Sequence, residues 1–333
     1  MVRLASIARS ELFRHLAHKV LLLLPLLWGV VTLTFVLLEL SPGSVIDKFI
    51  NEDTSPEVRE RLVAKWHLED PAPVRYVHLV ENMARLDFGV SIDQERPVFD
   101  IIAERLPNTL LLSTVSLLTM YPVGILLGVL QAVREGRAAD TGISLVSFFF
   151  YSMPSFWLAL MLQLLLCYWW PLLPTSGMFD DVQYDYLSAG GQVWDRVIHL
   201  VLPGLAMGVA HSAAVARYTR SALLEVVRQD YIRTARAKGV SEVRIILVHA
   251  LRNALLPIIT LFGLSLPTLF AGSVLVETIF AWPGMGRLMV QAILSEDTPL
   301  IIGCFFVYTL VVSLGGLLAE VLYSVADPRI RYQ

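Results

Sequence analysis

The stretch Asp230-Tyr-Ile-Arg-Thr-Ala-Arg-Ala-Lys-Gly239-Val-Ser-Glu-Val-Arg-Ile-Ile-Leu-Val-His-Ala-Leu-Arg-Asn-Ala-Leu-Leu-Pro257 decides the fold, because it is a basic, helix-forming insert between two runs apolar enough to cross a bilayer. Ala, Arg and Lys favour helix up to Gly239. Gly suits a helix C-terminus, and Ser241 followed by Glu242 can cap the next helix. The reading is helix, tight turn, helix. A membrane chain with such an insert points to a partner in the cytoplasm.

Outside the insert, 56% of the 333 residues are hydrophobic and 17% charged, with a mean hydropathy of +0.63. Those values exclude a soluble globular chain. A helix needs about 20 apolar residues to cross roughly 30 Å of hydrocarbon. Six runs qualify: Val20 to Leu40, Leu106 to Val133, Ile143 to Trp170, Val201 to Ala222, Leu256 to Ala281 and Leu300 to Ala326. They are continuous rather than alternating, which selects helices over a barrel. The expected fold class is an all-α membrane protein with six transmembrane helices.

Lys and Arg set the orientation. With an even number of spans both termini share a side, and that side holds sixteen Lys and Arg, eight of them between Arg217 and Arg252. The opposite side has eight in its one long loop and only Arg196 and Arg287 in its short loops. The termini and the insert are therefore expected in the cytoplasm. Asp and Glu are distributed the other way, nineteen in outer loops against seven inside. The first run is too long, and lacks the small-residue pattern, for a cleaved signal peptide. The segment before it has an apolar stripe (Leu4, Ile7, Ala8, Leu12, Leu16), which fits either an interfacial helix or a tail whose charge fixes topology.

Catalytic and metal signatures are absent from the sequence. The seven His show no His-Glu-x-x-His spacing, and Cys167 and Cys304 fit apolar packing within spans better than a disulfide. There is no Gly-x-Ser-x-Gly elbow. None of Lys19, Lys48, Lys65 and Lys238 follows a glycine, so no phosphate-binding Gly-Lys-Ser/Thr loop exists. The chain is not expected to be an enzyme, to bind a cofactor or to hold a metal.

Two outer segments carry their own order. Ser55-Pro56-Glu57 starts a helix through Val58, Leu62, Val63 and Trp66, and the series Val74, Val77, Val80, Met83 and Leu86 predicts a second. Together they make a small helical extracytoplasmic cap between the first two spans. Pro174 to His199 is acidic and carries Tyr184, Tyr186 and Trp194. Either segment fits docking of a soluble protein or packing on neighbouring helices.

Within the spans, Gly204, Gly208 and Ser212 recur every four residues among alanines, which lets helices approach closely, within this chain or with another subunit. Pro122, Pro154, Pro203, Pro257 and Pro267 predict kinks or ends. Ionisable groups are few: Glu39, Glu277 and Glu320, with no basic partner near in sequence. Glu39 and Glu277, near outer ends, fit snorkelling to the interface or lining of a path.

The run Arg217-Tyr-Thr-Arg-Ser-Ala-Leu-Leu-Glu-Val-Val-Arg-Gln-Asp-Tyr-Ile-Arg-Thr-Ala-Arg-Ala-Lys-Gly239 resembles the cytoplasmic signature of ABC importer permeases, in particular the dipeptide/oligopeptide/nickel family. Leu86-Asp-Phe-Gly-Val-Ser, Arg105-Leu-Pro-Asn-Thr, Ser152-Met-Pro-Ser-Phe-Trp, Leu173-Pro-Thr-Ser-Gly, Leu202-Pro-Gly, Val276-Glu-Thr-Ile-Phe-Ala-Trp-Pro-Gly-Met-Gly and Asp327-Pro-Arg-Ile-Arg extend the likeness along the whole chain. The long first outer loop is similar to that of the first, B-type, of the family's two permease subunits. Measured from Gly239, the general importer signature would place Glu, Ala and Ala at Arg233, Thr234 and Ala235. Its Ile would fall at His249 and its Pro at Arg252. These departures fit the peptide branch better than sugar importers.

The resemblance implies a type I ABC importer fold and a non-catalytic permease in a bacterial inner membrane, bathed in lipid. Its implied partners are a second permease, two ATP-binding subunits and an extracytoplasmic substrate-binding protein. Arg233, Thr234, Ala235, Arg236, Ala237, Lys238 and Gly239 would dock on an ATPase. Small Ala235 and Ala237 would permit close approach, and Arg233, Arg236 and Lys238 would meet acidic groups. Glu277, Pro267 and His211 are candidates for the translocation path or gate.

The expected segments are a cytoplasmic 1–19, a first span 20–40, an outer loop 41–105, a permease core 106–326 containing the coupling loop 223–255, and a cytoplasmic tail 327–333. Peptides are the expected substrate on family breadth; nickel chelates, glutathione and antimicrobial peptides use the same architecture. Three other readings are weaker. A basic loop could merely obey the positive-inside rule. A DNA-reading helix-turn-helix needs a docked recognition helix, whereas here Ile245, Ile246, Leu247 and Leu251 lead into lipid, so no nucleic acid is expected. An ion-coupled secondary transporter would show inverted repeats and more buried charge.

Overall fold

The computed structural model describes residues 2–40, 56–57, 60, 63–64, 67, 69–270 and 274–326, with side chains described from residue 18 onward apart from 38, 256, 260, 266–270 and 322–326. The tail 327–333, the side chains of 1–17 and of Pro267, and most of the helix expected from Ser55 to Trp66 lie outside the described residues.

The helices run α1 (Val2–Leu40), α2 (Ala72–Ala84), α3 (Val98–Val133), α4 (Ala138–Ser152) and α5 (Ser155–Trp169, its last turns π-helical). Then follow α6 (Ala189–Val227), α7 (Asp230–Ala237), α8 (Glu242–Ala254), α9 (Leu256–Phe270), α10 (Val274–Ile279), α11 (Met285–Leu294) and α12 (Thr298–Ala326). Among the described residues there is no strand, only an isolated bridge between Val90 and Pro97.

Among the described residues, four helices are each long and apolar enough to cross a membrane, and counting each of two bent pairs as one span brings the number to six. The run from Ile143 to Trp170 is not one straight span: α4 and α5 meet at 100° at Met153-Pro154. Proline cannot donate its backbone N–H and disfavours helix in the residue before it, so Met153 is extended at ψ 132° and the chain turns. The pair α8 and α9 bends by 49° around Pro257. Pro122 and Pro203, by contrast, stay inside continuous α3 and α6.

The centre of the bundle is the α3–α6 pair. A Cβ added at Gly124 would lie 2.5 Å from Val215 Cβ, and one at Gly128 would lie 2.5 Å from the Ala216 carbonyl oxygen. From the other side, a Cβ added at Gly204 would lie 2.7 Å from Val115 Cγ1, and one at Gly208 would lie 2.6 Å from Thr119 Cβ. The small-residue repeat of α6 is thus filled by α3 of the same chain, without a second subunit. Glycine removes the side-chain standoff, so the two backbones pack at a separation that dispersion forces alone hold in lipid.

Three apolar clusters divide the bundle along its length. At one end Leu79, Met83, Phe88, Ile101, Ile102, Leu288, Leu300 and Phe306 join α2, the start of α3, α11 and α12. The middle contains Leu112, Met120, Leu202, Met207, Val276, Phe280 and Trp282. The far end is closed by Leu223, Ile232, Ile245, Ala250 and Ala254. The α1 helix is peripheral, packing on α12 and α2. Cys167 and Cys304 are both buried free thiols, and Cys167 Sγ donates to the Pro174 carbonyl at 3.3 Å.

The intramembrane carboxylates find partners through the fold. Glu320 meets Lys19 of α1 at 2.9 Å, and Glu39 is hydrogen-bonded to Arg75 of α2. Glu39 is therefore engaged by the cap.

Candidate functional site

Helix α7 is amphipathic and short. Ile232 is fully buried, wedged between α6 and α8, while Arg233, Thr234, Arg236, Ala237, Lys238 and Gly239 are exposed and Ala235 is half-buried. The helix stops because Gly239 adopts φ 77°, a left-handed conformation glycine takes without strain. Gly239 N–H then donates to the Arg236 carbonyl at 2.9 Å and Val240 N–H to the Ala235 carbonyl at 3.2 Å. That pair of bonds is the Schellman pattern, with Val240 packed beside Ala235 as its apolar seal.

The expected cap of α8 is corrected. Ser241 occupies the N-cap position, but its hydroxyl makes no cap bond. Glu242 instead receives Arg236 in a two-point contact, Nε at 2.7 Å and Nη2 at 3.2 Å, and this carboxylate raises the Arg236 pKa further. Asn253 Nδ2 donates to the Tyr231 hydroxyl at 2.8 Å. Both bonds clamp α7 onto α8. Arg236 is thus committed within the chain, which leaves Lys238 and Arg233 as the cations that project; Arg233 has only Asp230 on its own helix, at 3.4 Å.

The turn is anchored to the bundle. Arg228, just past α6, reaches Glu135 beyond the end of α3 at 3.0 Å. Arg220 of α6 grips buried Asp140 at 3.0 and 2.8 Å, and Asp140 also accepts the N–H of Gly136 at 3.1 Å. These ion pairs tie α6, from whose end α7 follows, to α4 and to the end of α3. Beside this ion pair a cleft of about 390 Å³ opens between α4 and α6, lined by Gln131, Ser144, Ser147, Phe148, Tyr151 and Arg217 among others. Gln131 Oε1 and Ser147 Oγ there lack a hydrogen-bond partner.

At the opposite end Glu277 is fully buried and does not snorkel. Its carboxylate accepts Thr109 Oγ1 at 2.9 Å, Gly286 N–H at 2.7 Å and Arg287 N–H at 3.1 Å. It caps α11, whose first N–H groups have no helical acceptor. Gly284 and Gly286 are needed for this approach: a Cβ at Gly284 would lie 2.5 Å from Glu277 Oε2. Asn108 Nδ2 donates to the Pro283 carbonyl at 2.8 Å, and Trp282 Nε1 to the Asn108 carbonyl at 3.0 Å. The motifs Arg105-Leu-Pro-Asn-Thr and Val276 to Gly286 are two halves of one hydrogen-bonded knot.

The Leu86 to Ser91 motif does similar work. Ser91 Oγ donates to Asp297, which also accepts Leu300 N–H at 3.1 Å at the start of α12. Phe88 packs on Phe306 at 5.6 Å between centroids.

His211 is exposed in the middle of α6, with Nδ1 held by the Met207 carbonyl at 2.8 Å. It sits apart from Glu277, and the fold does not gather the two into one constellation. The acidic outer segment is ordered: Asp180 accepts Val182 and Gln183 N–H at 2.9 and 3.0 Å, which holds its carboxyl below the usual range. Arg196 lies over Tyr184 at 5.1 Å, while Tyr186 and Trp194 stand 90% and 66% exposed.

Comparison with known proteins agrees with this arrangement. Residues 124–332 match the family model "Binding-protein-dependent transport system inner membrane component". The chain is 40% identical to the oligopeptide transport system permease protein AppB of Bacillus subtilis (strain 168), covering 96% of this chain and 99% of that one. It is 40% identical to the di/tripeptide transport system permease protein DppB of Pseudomonas aeruginosa (96% and 98% covered) and 37% to the dipeptide transport system permease protein DppB of Escherichia coli K12 (94% and 97%). In fold it is similar to an inward-facing structure of the MetNI methionine ABC transporter, with a TM-score of 0.53 at 18% identity over 68% of this chain and 96% of that chain. Neither the family nor the fold favours an ion-coupled secondary transporter. The chain belongs to the binding-protein-dependent transport system inner membrane components, the permeases of ABC importers.

Proposed function

We propose that this permease imports di- and oligopeptides as half of a heterodimeric pathway, with ATP bound and hydrolysed by two separate cytoplasmic subunits. An extracytoplasmic binding protein delivers the substrate. The observation that carries the reading is the exposed, basic α7 ended by left-handed Gly239 and ion-paired to α8, following an α6 that is itself ion-paired to α4 and to the end of α3, in a chain without a phosphate-binding loop of its own. Peptide as substrate rests on the printed names of relatives near 40% identity over almost the whole chain.

Residues 233 to 239 dock on the ATPase, with Ala235 and Ala237 allowing close approach and Lys238 and Arg233 meeting acidic groups. The coupling loop and both termini are cytoplasmic. This is supported by the sixteen Lys and Arg assigned to that side and by the clustering of Arg220, Arg228, Arg236 and Lys238 at one end of the bundle. On the outer face, exposed Tyr186 and Trp194 offer a surface for the binding protein. The exposed apolar face of α4, with Leu145, Phe148 and Phe149, lies against lipid or the second permease. His211 lines the path, and Pro267 helps shape it. ATP-driven approach of the two ATPases rocks the bundle between inward and outward states through the α7 lever.

Co-purification and uptake test this reading. The account expects an ATPase subunit to co-purify and peptide uptake to stop on ATP depletion. A chain that purifies without any ATPase, and whose uptake follows an ion gradient instead, contradicts it.

A further inference from the structure

Just before α2 the fold gathers three ligand-type side chains that their sequence spacing does not reveal. His67 adopts a left-handed backbone, φ 52°, and Asp70 N–H donates to its carbonyl at 2.8 Å. For a non-glycine residue that conformation costs about 1–3 kcal/mol, so something over-determines it. The turn lays the His67 imidazole flat on that of His78 in α2, with centroids 3.7 Å apart and planes within 9°. His67 Nδ1 is 2.9 Å from Asp70 Oδ2 and His78 Nδ1 is 3.8 Å from Glu81 Oε2. One donor atom each from His67, Asp70 and His78 lies within 4.8 Å of the other two.

Ligand atoms around tetrahedral zinc, at about 2.0–2.1 Å from the ion, stand roughly 3.3 Å apart, so small side-chain rotations suffice to close this set. Two imidazoles with one carboxylate suit zinc, copper or nickel, whereas calcium and magnesium take oxygen ligands. The three side chains are 39%, 43% and 34% exposed, which leaves an entry route and room for a water as fourth ligand. We propose that His67, Asp70 and His78 form a divalent transition-metal site of the zinc class, with Glu81 orienting His78. An ion there pins the turn to α2 across Pro71 and fixes the base of the outer cap. The site is independent of what the permease transports.

Calorimetric titration of the full chain in detergent, stripped by chelator and given Zn²⁺ alone, tests it. One ion per chain is expected, with binding lost in His67→Gln and His78→Gln and weakened about 10- to 100-fold in Glu81→Gln. A Co²⁺-loaded chain, whose visible bands must vanish in the same two His variants, serves as a second readout that does not depend on heat. Unchanged isotherms and bands in both variants, or no uptake of either ion by the native chain, overturn the proposal.

Discussion

Arg236 Nε donates to Glu242 Oε1 at 2.7 Å across the turn at Gly239, so α7 and α8 are held together by this ion pair, the Asn253–Tyr231 hydrogen bond and the glycine turn. The pair is solvent-exposed, and such pairs contribute about 0–1 kcal/mol. Glu242→Ala is therefore expected to leave folding intact while loosening α7. Its readout is a lower ratio of substrate-stimulated to basal ATPase activity in the reconstituted complex, with an unchanged melting temperature.

Glu277 distinguishes a structural carboxylate from a path-lining one. Its removal orphans the Gly286 and Arg287 N–H groups and the Thr109 hydroxyl, at about 1–3 kcal/mol for each buried group left unsatisfied. Glu277→Ala should lower the melting temperature and the amount of protein in the membrane, and Glu277→Gln should recover part of both. Normal melting with altered transport would assign Glu277 to the path instead.

Gly128 tests the α3–α6 contact. An added Cβ lies 2.5 Å from a backbone carbonyl that cannot rotate away, and overpacking of this kind costs about 1–3 kcal/mol. Gly128→Ala should reduce thermal stability, whereas Gly29→Ala, whose Cβ meets nothing within 4 Å on α1, should not. Differential scanning fluorimetry on both variants checks the contrast.

Asp140 and Arg220 form an ion pair between α4 and α6, with Asp140 only 5% exposed. Removing one partner of a fully buried pair costs about 3–5 kcal/mol, and the 30% exposure of the Arg220 side chain places this pair below that range, while replacing both with apolar groups can be neutral. Asp140→Ala should lower the melting temperature measurably, and Asp140→Ala with Arg220→Met should recover most of the loss in the same melting assay.

Apolar run length revealed the spans because the bilayer leaves only that solution, and the α7–Gly239–α8 turn was legible because Gly between helix formers has one common use. A kink or end was legible at Pro154 and at Pro257, but not which prolines would break a span: Pro122 and Pro203 sit in comparable runs and leave their helices continuous, so tertiary packing decides. Glu39 and Glu320 showed no basic partner because the helix contacts that supply Arg75 and Lys19 join distant segments. Glu277 hid its role for the same reason, since Thr109 lies in another helix. His67 and His78 meet only through a left-handed residue, which spacing rules do not foresee.

The central claim is that α7 and its glycine turn carry force between ATPase and bundle. Its most direct test is ATPase activity of the complex in proteoliposomes, with substrate-loaded binding protein, for Ala235→Asp and Gly239→Asp. Ala235→Asp places a charge in the half-buried docking face, and Gly239→Asp burdens the left-handed turn by about 1–2 kcal/mol. The account predicts that both variants insert into the membrane but lose stimulated ATPase activity and uptake. Stimulation and transport at native levels in both would contradict it.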